Sequence, residues 1–209
     1  MKHFLTFSLS LLLLLLISAG ASAENDNQDS TKNEKTDIPA YREGDINFNA
    51  GISLGTYGYG YVGSRSFTVP LTLSLEYGFH EYISGGAMVG YARWKYDYSY
   101  FGSPYTYSWT YLNFAPRASF HYLPLLNEHF GVGLDESKFD FYLTVFAAFE
   151  MRTYHSASDD LSDYYDNSSS FHVGSFLGFK YMVSEQFGLF FEGGRHAFGY
   201  GTFGINVRL

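Results

Sequence analysis

The chain has 209 residues, a net charge of −8 at pH 7 and no cysteine, and 21% of it is aromatic, nearly all Phe and Tyr. A chain this acidic is not built to neutralise nucleic-acid phosphates, and without cysteine it has no disulfide framework to hold a core together.

The first residues read as an export leader. Lys2 and His3 precede an apolar run from Phe4 to Ile17, and small residues in an A-x-A arrangement, Ala21-Ser22-Ala23, stand before Glu24. That run is shorter than the roughly 20 residues a spanning helix needs, and no cysteine near the cleavage point offers a lipid anchor. Residues 1–23 are therefore expected to be a signal peptide. Residues 24–44 are polar and mixed in charge, with too few large apolar side chains to repay the entropy of ordering. They are expected to form a disordered periplasmic tail, lacking the apolar anchors of a barrel plug.

From Asp45 to the end, one domain is expected, and its dominant signal is alternation. Ile46 to Thr56 puts Ile46, Phe48, Ala50, Ile52 and Leu54 on one face and Asn47, Asn49, Gly51 and Ser53 on the other. Ser66 to Gly78 sets Phe67, Val69, Leu71, Leu73, Leu75 and Tyr77 against Thr68, Pro70, Thr72, Ser74 and Glu76. Ile83 to Trp94 is a Gly-rich third run. Tyr111–Tyr122, Phe139–Thr153, Phe171–Tyr181, Phe187–Gly194 and Tyr200–Leu209 follow. The segments between them are expected to be short turns at one end (78–82, 182–186) and longer loops at the other (95–108, 154–170), with 123–138 unusually long for a turn.

Eight amphipathic runs of about 10 residues match the length with which tilted strands cross a bilayer, and spanning strands must close into a barrel. A soluble barrel shows the same alternation with its faces exchanged. Volume decides between them: an eight-stranded barrel has room inside only for closely fitted side chains, so Phe67, Leu71, Leu73, Leu75, Phe114, Phe120, Phe141, Leu143, Phe149, Phe171 and Phe179 cannot all point inward. The prediction is an all-β fold: an eight-stranded antiparallel up-and-down transmembrane β-barrel.

The leader, the eight strands, the inward charges and the closing pattern Phe203-Gly204-Ile205-Asn206-Val207-Arg208-Leu209 together resemble the small Gram-negative outer-membrane β-barrel family of OmpA/OmpX type. The resemblance covers Asp45 to Leu209. It implies a cell outer membrane location, contact with outer-membrane lipid and lipopolysaccharide, handling by the barrel-insertion machinery, a monomer, and no cofactor. Members commonly end in an aromatic residue where this chain has Leu209.

The predicted inward charges are Glu76, Arg117, Asp140, Glu150, Arg152, Lys180, Glu192 and Arg208, four acids and four bases. Counting along each strand places Glu76, Asp140, Lys180 and Arg208 near the periplasmic end, Arg117 and Glu192 at mid-depth, and Glu150 and Arg152 near the outer rim. Arg117 and Glu192 are expected to meet across the lumen, because an unpaired charge there is costly. The set is expected to plug the lumen, giving a structural or surface-interaction protein; a narrow channel or small-solute conduit is the first alternative. A lipid-modifying enzyme is the second, and the one constellation it could use is Ser170, His172 and Glu150, in residue types common to any polar lumen. His155 and His196 are expected in loops. No catalytic, cofactor or metal site is assigned: the acidic loop 159–167 lacks the spacing of a calcium hand. Tyr96, Tyr98, Tyr100, Tyr105, Tyr107 and Trp109 are expected to form an aromatic rim.

Overall fold

A computed structural model describes residues 38–56, 64–100, 103–156, 167–195 and 198–209. The leader, residues 24–37 of the expected tail, most of the acidic loop and His196 lie outside the described residues. Eight strands are described and form a closed, all-antiparallel barrel in chain order: β1 (Ile46–Thr56), β2 (Ser64–His80), β3 (Ile83–Tyr100), β4 (Ser103–His121), β5 (Phe139–Ser156), β6 (Ser168–Met182), β7 (Phe187–Gly194) and β8 (Gly199–Arg208). No described helix is long and apolar enough to cross a membrane.

Period-2 chemistry sets the faces. On β1, Asn47, Asn49 and Ser53 are buried in the lumen while Ile46 and Leu54 stay exposed; on β2, Leu71, Leu73 and Leu75 are exposed and Thr72, Ser74 and Glu76 buried. The Gly-rich β3 turns Met88, Ala92 and Trp94 inward and Ile83, Val89 and Tyr91 outward. In water, each such exposed large side chain would forgo about 1.5–3 kcal/mol of burial. Pro70, which has no N–H for the ladder, falls where the β2–β3 register shifts between Thr68 and Leu71.

The strands are staggered. Neighbours traced from Ile46 through Tyr77, Gly85, Ala118, Val145 and Ser175 reach Arg195, and the β7–β8 ladder extended by two residues leads through Gly199 back to β1 at Thr56, ten residues above the start. Such a shear tilts the strands by about 35–45° and lifts each strand relative to the one before it.

Three expectations need correction. The segment 95–108 is not a loop: β3 and β4 run on as a hairpin, pairing Lys95 with Ser108, Tyr96 with Tyr107 and Tyr100 with Ser103. Tyr and Trp at every second position favour extended pairing, and facing aromatic positions reinforce it. His155 likewise stands on β5, opposite Ser108, rather than in a loop. At about 2.5 Å of height per tilted residue, the 18 or 19 residues of β3, β4 and β5 overshoot a 25 Å apolar band by some 20 Å. The third correction concerns the tail, whose last residues are ordered, as described below.

The long segment 123–138 contains a helix, α1 (Leu123–Phe130), with Pro124 in its first turn. Gly131 ends it in the left-handed region (φ 60°), where a Cβ would be strained, and its N–H bonds the Asn127 carbonyl. Asn127 then ties the return path, donating to the Leu134 carbonyl at 2.8 Å and to Glu136 at 2.7 Å.

Candidate functional site

The lumen has two halves of different chemistry. Toward the end holding the described N-terminal residues and the C-terminus it is polar. Arg117 on β4, fully enclosed, places Nη2 3.0 Å from Glu76 on β2 and 2.9 Å from Glu192 on β7. Its Nη1 donates to Ser74, and its guanidinium lies 5.0 Å from the Phe176 ring centre. Glu76 accepts from Ser84 and Ser119, and Glu192 accepts from the Tyr142 hydroxyl. The carboxylates are thus held by hydroxyls as well as by the cation, the condition under which buried charge is tolerated.

A second cluster sits nearer that end. Asp140 lies 2.8 Å from His121 and 3.2 Å from Lys180, which also donates to Asn47. Arg208 stands 3.1 Å from Asp45, an ion-pair distance without hydrogen-bond alignment. Asp45 and His121 were not among the eight charges named from sequence. His121 shares the inward parity of Arg117 and Ser119, a signal that was available; Asp45 precedes the first strand and carries no parity.

The expected tail residues close this mouth. Tyr41 is buried, stacks flat on His121 with ring centres 3.4 Å apart, and donates its hydroxyl to the His80 carbonyl at 2.7 Å. The Pro39 carbonyl accepts from Arg208 at 2.6 Å, and the Ala40 N–H bonds Glu136 between α1 and β5. Ala40 and Tyr41 therefore supply the anchor that a reading of the average polarity of residues 24–44 discounted. Burial, then the nearby Asp140 and Glu76 charges, push the Tyr41 hydroxyl up from its usual range.

The other half of the lumen is apolar. Trp94, Tyr111, Phe146, Phe176 and Phe198 belong to one buried cluster, which Tyr142 joins from the polar half and against which Tyr107 and Trp109 pack. The latter two line the inside of the wall instead of forming an outer rim, and Arg152 lies 4.8 Å above the Trp109 ring. Side chains of Tyr96, Tyr98, Tyr100 and Tyr105 lie outside the described residues. Glycines make room for the rings: a Cβ on Gly90 would run into Phe198.

All eight named charges stand on the inner parity, and Glu76, Arg117, Asp140, Glu150, Lys180, Glu192 and Arg208 are buried. Glu76 meets Arg117 although counting along the strands put them at different depths, because the stagger raises each strand relative to its predecessor. Ser170, His172 and Glu150 do not assemble. Ser170 pairs in register with Glu150, but no hydrogen bond among the described residues joins His172 to either, and its ring meets the edge of Phe146 at 6.1 Å.

The wall is uneven. The β6–β7 ladder runs from Met182–Gly188 up to Phe176–Gly194, with the Arg195 N–H on the Ser175 carbonyl. Above it, Ser168–Gly174 pair only with β5 among the described residues. Behind this stretch of β6 Phe146 fills the lumen, so close that a Cβ on Gly174 would lie 2.5 Å from its ring.

No family model and no curated protein matches the chain. Among solved structures, the chain is similar to Ail, the attachment invasion locus protein of Yersinia pestis, in complex with the heparin analogue sucrose octasulfate (12% identity, 80% of this chain and 100% of that one, TM-score 0.45). It is also similar to the outer membrane protein OprG from Pseudomonas aeruginosa (12% identity, 81% and 97%, TM-score 0.46). A third match is the N-terminal β-barrel domain of OprF from the same organism (12% identity, 80% and 98%, TM-score 0.37).

Proposed function

We propose that this chain is an integral outer-membrane barrel of a Gram-negative cell, monomeric and closed, whose tall strands β3 to β6 present a surface for interaction outside the membrane. One observation carries the reading: the exposed face is apolar strand after strand, while the enclosed face holds the ionic and hydroxyl groups. Only a hydrocarbon solvent makes that arrangement favourable. The leader fits delivery to that membrane, lipid and lipopolysaccharide are the natural contacts of the belt, and the amphipathic β8 is the segment for the insertion machinery to handle.

The lumen charges act as a structural plug. Arg117, Glu76 and Glu192 join β4, β2 and β7 across the lumen, and the rings of Phe146, Phe176 and Phe198 fill the space toward the outer end, so neither a channel nor a conduit is favoured. Ser170, His172 and Glu150 are not joined to one another among the described residues, so no catalytic role is proposed for them. The interaction surface centres on the β3–β4 hairpin and the upper part of β5, which run past the apolar band.

Reconstitution of the processed chain tests both halves of the proposal. It is expected to insert into liposomes and resist protease there, and to pass no steady current in planar bilayers. A stable open conductance would overturn the plug, and a folded, water-soluble monomer would overturn the barrel's location.

A further inference from the structure

The outward surface of β4, β5 and β6 is built in register rows. Phe114, Phe149 and Phe171 form one bulky row, and Phe120, Leu143 and Leu177 another. Between them lie two rows of smaller residues: Pro116, Ala147 and Val173, then Ala118, Val145 and Ser175. The result is a trough of about 800 Å³ sunk into the lipid-facing wall. Its floor is sealed from the lumen by Phe146. Its rising end is closed by a charge: Arg195 lines the trough, is exposed, and its backbone N–H is fixed to Ser175. Among the described residues no carboxylate pairs with its guanidinium.

The stagger sets the height of that charge. Arg195 is reached six strand steps up the eight that climb from Ile46 to Thr56, at about three quarters of the rise, on the side away from the termini. An apolar depression that leads to a cation at this level matches an amphiphile with acyl chains below and an anionic head above. A long Arg side chain reaches toward the headgroups from such a position, and its planar fork suits phosphate oxygens.

We infer that the trough between the two bulky rows of β4, β5 and β6 holds acyl chain of a phosphate-bearing lipid of the outer leaflet, with Arg195 on its phosphate. This rests on the outer-membrane reading above. It adds a specific lipid site to a belt that otherwise meets lipid non-selectively.

Native mass spectrometry of the full processed chain, released from liposomes containing lipid A, its dephosphorylated counterpart or phosphatidylethanolamine, tests the site. The wild-type protein is expected to retain one lipid A, about five-fold more than the dephosphorylated form. Arg195→Gln is expected to bring that ratio close to one. Ala147→Phe, which fills the floor from the lipid side, is expected to lower retention of both forms. A preference that survives Arg195→Gln, or retention unchanged by Ala147→Phe, overturns the inference. So does a dimer that Ala147→Phe dissolves, which would give the trough to a second copy. Protease resistance in the liposomes separates the two levels: a wild-type chain that fails to insert sinks the bilayer reading, whereas an inserted chain without selective retention sinks the lipid site alone.

Discussion

Removing the Arg117 side chain probes the lumen most sharply. Its Nη2 sits 3.0 Å from Glu76 and 2.9 Å from Glu192, and all three side chains are almost entirely enclosed. At those separations each attraction is about 5 kcal/mol for an effective dielectric of 20, before the cost of stripping water from the charges is set against it. The net value of the trio is therefore small, but the cost of breaking it is not. Arg117→Met keeps most of the stem volume and leaves two buried carboxylates facing each other, so it is expected to destabilise the barrel by about 3–5 kcal/mol. The triple change Arg117→Met, Glu76→Gln and Glu192→Gln removes every net charge and is expected to recover most of that loss. Urea unfolding in lipid vesicles, followed by the electrophoretic shift of the folded barrel, measures both. Equal destabilisation by the single and triple variants would refute the electrostatic argument and leave only a packing defect.

Leu73 is exposed on the outer face of β2, well inside the apolar belt, so Leu73→Arg is expected to cost about 2–4 kcal/mol in vesicles; a neutral effect there would count against hydrocarbon contact. Gly90→Val drives a side chain into Phe198 and is expected to loosen the outer ring plug, seen as faster proteolysis near residue 198, while Arg117 still blocks steady current in planar bilayers. Tyr41 docks only with its hydroxyl protonated. Because its folded value is raised, the docking is fully present below the unfolded value of about 10 and is lost as pH climbs through the folded one. Tryptic cleavage at Arg42 is therefore expected to quicken above about pH 10, and Tyr41→Phe is expected to remove that pH dependence.

How much of this could be read from residues depends on the range of the interaction. Strand parity is local: once Leu71, Leu73 and Leu75 face one way, Thr72, Ser74 and Glu76 must face the other, and both faces of β2 followed from the sequence. Depth is not local. Arg117 and Glu76 were assigned different levels because counting residues from a turn ignores the ten-residue stagger, which depends on how all eight strands pair. The same gap explains Tyr41: nothing in the composition of residues 24–44 marks one tyrosine as a partner for His121, some 80 residues away, until closure brings that ring to the mouth. The trough beside Arg195 is the extreme case. Pro116, Ala118, Ala147 and Ser175 look unremarkable on their separate strands, and only the register makes them adjacent. Alternation thus specifies which solvent each face meets, whereas any selective site on this barrel must arise from pairing between strands.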